Sequence, residues 1–310
     1  MLAVECLDLT KDFRAGFWRS RPVRALDHLS LRIEPGEIFG LLGHNGAGKT
    51  TTLKLLLRLI FPTSGEARIL GQPAGATASQ IGYLPENPYF YDYLRCRELV
   101  EYFAELAGVP ARQRRQRAAE ALGRVGMAAA AETALRKCSK GMVQRVGLAQ
   151  AIVHRPAVLF LDEPMSGLDP LGRRQVRELI LELKAGGATV VFSTHILSDA
   201  EQLCDRVAIL RQGRLAGQGA LETLLAGEVD RVEVGFTQGG AARHRVVAKA
   251  DLWQQLDQLR AAGATIAAIT PLRRSLEEIF LAPGTAPAAA PPEGGEAPSR
   301  TAGRAVEAGR

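Results

Sequence analysis

The sequence predicts an α/β fold for residues 1–227, a mainly parallel sheet with helices on its faces. Three observations carry that prediction. Short β-rich runs at 37–42, 158–161, 189–192 and 206–210 alternate with helical stretches, the pattern of strands joined by crossover helices. The run at 37–42 leads into a glycine-rich loop and then a helical segment. The run at 158–161 is wholly apolar and ends in two carboxylates, as a buried strand does when its carboxyl end faces a ligand crevice.

Between about 90 and 155 the strand signals vanish and helix formers dominate, including an Ala/Arg/Gln-rich stretch at 111–124. This predicts an inserted helical subdomain. After Gly227 the pattern changes to strand-like runs at 231–236 and 243–248, a helical run at 251–263, a third strand at 265–270 and a short helix at 275–281. These elements suffice for a small C-terminal α+β appendage spanning 228–282, with Trp253 expected in its core and His244 on its surface. Residues 283–310 are Ala, Pro, Gly and Glu with almost no large apolar side chain, the composition of a disordered tail. No internal repeat is visible.

With 310 residues and 46% hydrophobic content the chain can fill an ordinary core, which excludes a fibrous or wholly disordered protein. No apolar run approaches the roughly 18 residues that cross a bilayer, so the chain is not expected to span a membrane by itself. The first residues carry acids and lack a basic, then apolar, leader pattern, which points to the cytosol. A net charge of +6 on this length is modest and reads as surface background, so no nucleic acid is expected as a partner. The basic run Arg112, Arg114, Arg115 and Arg117 reads as a solvated helix face rather than a lipid-headgroup contact. Cys6, Cys96, Cys138 and Cys204 show neither CxxC nor zinc-ligand spacing and read as reduced, mostly buried thiols.

Gly43-His44-Asn45-Gly46-Ala47-Gly48-Lys49-Thr50 fits the phosphate-loop pattern GxxxxGK[ST], with a strand before it and a helix after it. Its glycines let backbone N–H groups curl around phosphate oxygens at a helix N-terminus. Lys49 is placed to reach the β- and γ-phosphates, and the Thr50 hydroxyl to ligate Mg²⁺. Thr51 belongs to the same binding set. Asp162, at the acidic strand end, is placed to hold the metal, and Glu163 to orient or deprotonate an attacking water. The strand at 189–192 runs on into Ser193-Thr194-His195, which brings an imidazole to the same sheet edge.

The order of these motifs resembles the nucleotide-binding subunit of an ATP-binding cassette (ABC) transporter over about residues 1–225, and so a P-loop NTPase cassette. Cys138-Ser139-Lys140-Gly141-Met142 is similar to the family signature LSGGQ at Ser139 and Gly141 only, and stands about 20 residues ahead of the acidic strand. The resemblance implies that Ser139 and Gly141 bind the γ-phosphate of ATP held by the opposite subunit of a homodimer. It further implies that Ser166-Gly167-Leu168-Asp169 joins the two sites, with Asp169 counted among the nucleotide contacts, and that His195 is the γ-phosphate switch. Phe13 falls where the family stacks an aromatic ring on adenine, with Phe17 and Trp18 as competitors. Glu86 occupies the place of a Gln that touches Mg²⁺ and the attacking water.

Tyr89, Phe90, Tyr91 and Tyr93 put four of the chain's 17 aromatic residues in one segment, either a docking patch for a permease helix or a plug under the helical subdomain. The appendage is similar to the C-terminal extension of ABC-2 exporters. The resemblance thus implies an ATP- and Mg²⁺-dependent ATPase that powers export by a separate membrane permease, peripheral on the cytoplasmic face of the inner membrane. Alternatives are an ABC ATPase acting on ribosomes or DNA, a cassette serving copper-site maturation, and a cassette that binds ATP without turning it over.

Overall fold

The structure is a computed structural model and describes residues 1–15, 21–226, 231–271 and 276–277. The chain first forms β1 (Val4–Ala15), β2 (Arg21–Ile33), β3 (Ile38–Leu42), α1 (Lys49–Leu56), β4 (Ser64–Ile69), β5 (Gln72–Pro73) and β6 (Ile81–Leu84). Three helices follow: α2 (Cys96–Leu106), α3 (Ala111–Arg124) and α4 (Lys140–Ile152). The α/β alternation then resumes with β7 (Val158–Asp162), α5 (Pro170–Ala185), β8 (Thr189–Thr194), α6 (Leu197–Leu203), β9 (Arg206–Arg211), β10 (Arg214–Ala220) and α7 (Leu221–Leu225). Last come β11 (Arg231–Gln238), β12 (Ala241–Ala248), α8 (Leu252–Ala261) and β13 (Thr265–Pro271).

A six-stranded sheet of order β10-β9-β3-β8-β7-β6 is parallel throughout except for the antiparallel β10 edge. Every residue of β3, β7 and β8 is buried, as central strands covered on both faces must be. Their side chains divide by the period of two. Ile38, Leu42, Leu159, Leu161, Val190 and Phe192 point into one apolar cluster with α4, α5 and the helices of 96–124. Phe39, Leu41, Val158, Phe160 and Val191 point into a second cluster with α1 and a separate antiparallel sheet, β2-β1-β4-β5.

That antiparallel sheet is absent from the sequence reading, for a local reason. β1 and β2 shift register at three points between Cys6 and Asp12, and Asp8 and His28 adopt left-handed backbone at φ 47° and 51°. Each irregularity breaks the alternation by which a half-buried strand is recognised. The helical stretch between β6 and β7 is found as predicted. Its loop and first helix are stitched by Cys96 N–H to the Thr133 carbonyl at 3.0 Å, which brings Cys96 Sγ within 3.7 Å of Cys138 Sγ, a proximity that their sequence separation hides.

The C-terminal strands form a three-stranded sheet, β12-β11-β13, with α8 covering one face. Trp253 is not in its core but 76% exposed. The buried stripe of α8 runs through Leu252, Leu256 and Leu259, and a residue one step after Leu252 lies about 100° around the helix from that stripe. His244 is on the surface as expected, 3.7 Å from a Glu233 carboxylate oxygen. Leu276 belongs to the main apolar cluster, and its N–H donates to the Glu201 carboxylate at 2.8 Å. The tail at 283–310 and most of the expected helix at 275–281 fall outside the described residues.

Two stability predictions follow from close packing. A Cβ on Gly82 in β6 would overlap the Ala151 carbonyl and approach Leu159 Cδ1 to 2.7 Å. Gly82→Ala therefore costs about 3 kcal/mol, read from urea midpoints. His154 lies with Nε2 3.0 Å from the Ile81 carbonyl and Nδ1 buried without a partner, and burial lowers its pKa below the usual 6.5. The unfolded chain thus takes up the proton first, so stability falls as pH drops from about 6.5 toward the lowered folded value. His154→Gln flattens that fall when midpoints at pH 7.5 and 5.5 are compared.

Candidate functional site

Parallel pairing brings the carboxyl ends of β3, β8, β7 and β6 to one edge, with Leu42 opposite Thr194, Asp162 opposite Ser193, and Leu84 opposite Leu161. The loop Gly43–Gly48 leaves β3 and enters α1. A Cβ on Gly43 would lie 2.7 Å from the Leu210 carbonyl, and one on Gly48, at φ 108°, 2.7 Å from Leu26 and 2.9 Å from the Ala25 carbonyl. Only glycine permits so close a turn there. The β9–β10 turn braces the loop from behind, Gly213 N–H donating to the Ala47 carbonyl at 3.0 Å.

Lys49 opens α1 and folds back over the loop. Its buried Nζ donates to the Gly43 carbonyl at 2.8 Å and the His44 carbonyl at 3.2 Å, and stands 3.5 Å from Glu163 Oε1. The Thr50 hydroxyl donates to Asp162 Oδ1 at 3.3 Å. Ser193 Oγ donates to the same oxygen at 2.5 Å and accepts the Glu163 N–H at 3.1 Å. Glu163 adopts left-handed backbone at φ 51°, and its carboxylate lies 2.9 Å from His195 Nδ1.

A cleft of about 360 Å³ opens above these groups. Asn45, Gly46, Gly48, Lys49, Thr50 and Thr51 line it on the loop side, and Ala25, Glu86 and Glu163 complete it. Tyr83 lies beneath, its phenol pushed up to about 12 by burial and by the carboxylates of Asp162 and Glu86, so it stays neutral at ordinary pH. Asp162 is buried and its Oδ2 has no hydrogen-bond partner. A buried carboxylate oxygen left open beside a threonine hydroxyl, with Glu86 across the cleft, fits a hard divalent cation such as Mg²⁺.

The structure therefore brings together Lys49, Thr50, Asp162, Glu163 and His195 with the loop and Glu86. It keeps four other sequence-predicted residues out of the cleft. Phe13 sits on β1 opposite Val23, 41% exposed, with Lys11 Nζ 5.1 Å from its ring centre. Phe17 and Trp18 fall outside the described residues. Ser139 caps α4 by accepting the Met142 N–H at 3.3 Å, and Asp169 caps α5 by accepting the Gly172 N–H at 2.7 Å. Gly141 sits in the first turn of α4, where a Cβ would touch Leu168 at 3.4 Å, so the two capped turns pack on each other.

Ser193 and Asp199 are the residues that sequence reasoning missed. Ser193 was legible only as a strand end, although its place two residues before His195 puts it in register with Asp162. Asp199 lies one turn beyond His195 on α6. Its buried carboxyl is pushed up by desolvation against the pull of Arg173 and Arg177, and its Oδ2 has no partner.

A glycine loop at a helix N-terminus, beside an acidic strand end and a switch-positioned imidazole, defines a P-loop nucleotide-hydrolysing site. A sequence profile of the ABC transporter family matches residues 26–166. An ABC transporter ATP-binding protein of Nostoc sp. is 45% identical over 296 residues, covering 88% of this chain and 87% of that one. The bacitracin transport ATP-binding protein BcrA of Bacillus licheniformis is 39% identical over 217 residues, 68% of each chain. Among solved structures, the cassette MJ0796 in a dimeric post-hydrolysis state bound to ADP and Pi superposes with a TM-score of 0.66 and 26% identity, covering 70% of this chain and 98% of that one. The chain belongs to the ABC transporter ATP-binding family and is an ATP-binding, ATP-hydrolysing cassette.

Because the loop is closed on both sides, Gly48→Ala forces Leu26 or the Ala25 carbonyl to move. Isothermal titration calorimetry is expected to show ATP affinity reduced at least about tenfold, with the fold retained by circular dichroism.

Proposed function

We propose that the cassette powers export by a separate membrane permease, working as a head-to-tail homodimer on the cytoplasmic face of the inner membrane. The observation that carries this reading is the division of the motifs. Ser139, Gly141 and Asp169 lie on capped turns apart from the cleft that holds Lys49 and Glu163, so a second copy has to supply them. The dimeric state of MJ0796 and the transport named for BcrA support it. No helix among the described residues is long and apolar enough to cross a membrane, in keeping with a permease on another chain.

Tyr89, Tyr91 and Tyr93 are exposed between Glu86 and α2, whereas Phe90 turns inward and meets Phe103 edge-on at 6.0 Å. The segment thus offers three amphipathic rings for a permease helix and uses one as its anchor. The nucleotide-handling body is assigned to residues 1–227, the α+β unit to 228–282.

In this reading the loop amides and Lys49 hold the β- and γ-phosphates, Lys49 exchanging its carbonyl partners for phosphate oxygens. Phe13 stacks on adenine. Thr50, Asp162 and Glu86 would hold Mg²⁺, which when bound would screen phosphate charge and polarise the γ-phosphoryl group. Glu163 takes the proton of the attacking water, and His195, 2.9 Å from that carboxylate, links it to the γ-phosphate position. Ser139, Gly141 and Asp169 of the second copy close the site.

Glu163→Gln keeps the shape of the site and removes the base. Turnover is expected to fall at least about 100-fold while ATP binding persists and a stable dimer appears by size-exclusion chromatography with light scattering. Unchanged turnover would remove Glu163 from this role. Purification from native membranes in mild detergent should recover a multi-spanning protein in stoichiometric amount; recovery with ribosomes or nucleic acid instead would displace the exporter reading.

A further inference from the structure

Strand β8 reads Thr-Val-Val-Phe-Ser-Thr and all six residues are buried. Packing alone favours an apolar, β-branched side chain at each inner position. Ser193 has no accessible surface, and a buried hydroxyl costs free energy unless its hydrogen bonds are made. Here they are made entirely with the two acidic residues of the site. The hydroxyl proton goes to Asp162 Oδ1 at 2.5 Å, the short range of a charge-assisted bond, and the oxygen accepts the Glu163 N–H at 3.1 Å. The Ser193 carbonyl accepts that same N–H at 3.2 Å.

The two contacts do different things. Thr50 and Ser193 both donate to Oδ1, so the Asp162 carboxylate cannot rotate without losing two bonds, and the buried Oδ2 is the oxygen without a hydrogen-bond partner. The second contact clamps a residue whose backbone is left-handed. A non-glycine residue at φ 51° is strained and persists only where its surroundings over-determine it. Glu163 leaves the strand in that conformation, and its carboxylate thereby lies between Lys49 at 3.5 Å and His195 at 2.9 Å.

We propose that Ser193 is a positioning residue for both acids of the site: by its bond to Oδ1 it fixes the orientation of the Asp162 carboxylate that would serve the divalent cation, and it fixes the backbone from which Glu163 projects. This rests on the assignment of Asp162 to metal and Glu163 to the base. Ser193 is fully buried and does not line the cleft. Its loss acts through the two acids and spares the phosphate loop.

The test compares Ser193→Ala, Ser193→Thr and Ser193→Val in the full chain, with Mn²⁺ as the probe. Mn²⁺ affinity in the ATP complex, read by electron paramagnetic resonance, should weaken about tenfold in the Ala and Val variants, with kcat lowered by a similar factor. ATP affinity in EDTA should stay within about twofold of wild type, because no phosphate-loop contact changes. Thr and Val differ only by the hydroxyl at nearly equal volume, so recovery in Ser193→Thr but not in Ser193→Val assigns the effect to the hydrogen bonds even if the Ala variant folds poorly. Wild-type Mn²⁺ affinity in Ser193→Val, or equal impairment of Thr and Val, would overturn the proposal. Asp162→Asn separates the two levels. If it leaves Mn²⁺ affinity unchanged, the metal assignment itself fails; if it weakens binding while Ser193→Val does not, only the role of Ser193 fails.

Discussion

In-register parallel pairing of β3, β8, β7 and β6 is the constraint on which the site depends. Parallel strands end on the same side, so one sheet edge collects the phosphate loop, Glu86, the two acids and His195 from segments far apart in sequence. A slip of one residue between β7 and β8 would turn Ser193 away from Asp162 and move an entire hydrophobic set to the opposite cluster. The near-complete burial of both faces makes such a slip very costly. The precision of the site is therefore a by-product of core packing, and the two apolar clusters that sandwich the sheet act as its alignment device.

Within that frame the charges form a small closed set. Glu163 is engaged at once by Lys49 and His195, and Lys49 by two carbonyls besides, so each buried charge already has a partner before any nucleotide arrives. Triphosphate binding then becomes an exchange of partners rather than the burial of new charge. Asp162 is the exception, with Oδ1 accepting two hydrogen bonds and the buried Oδ2 accepting none.

Much of this was legible because the decisive residues are contiguous. Gly43–Thr51, the acidic end of 158–163 and the histidine after 189–194 each declare a strand, a turn and a chemistry in one stretch. The antiparallel sheet was not, because bulges at Asp8 and His28 erase the alternation that marks a strand. Trp253 was misread because its apolar identity outweighed its helical phase. Ser193 and the Cys96–Cys138 contact depend on which strand or loop lies alongside, and no local pattern reports a neighbour across the fold. That Ser139 and Asp169 cap helices was not read from the sequence, because capping depends on where the following helix begins.

Leu276 comes after the three-stranded sheet in sequence, yet it is fully buried and belongs to the main apolar cluster. The chain leaves the large body after α7, builds β11–β13 and α8, and returns to be fastened. The small unit is thus a loop pinned at both ends, and swinging it away requires peeling one leucine from the core, worth about 2 kcal/mol, together with the Glu201 bond. A chain cut ahead of residue 276 loses that rivet.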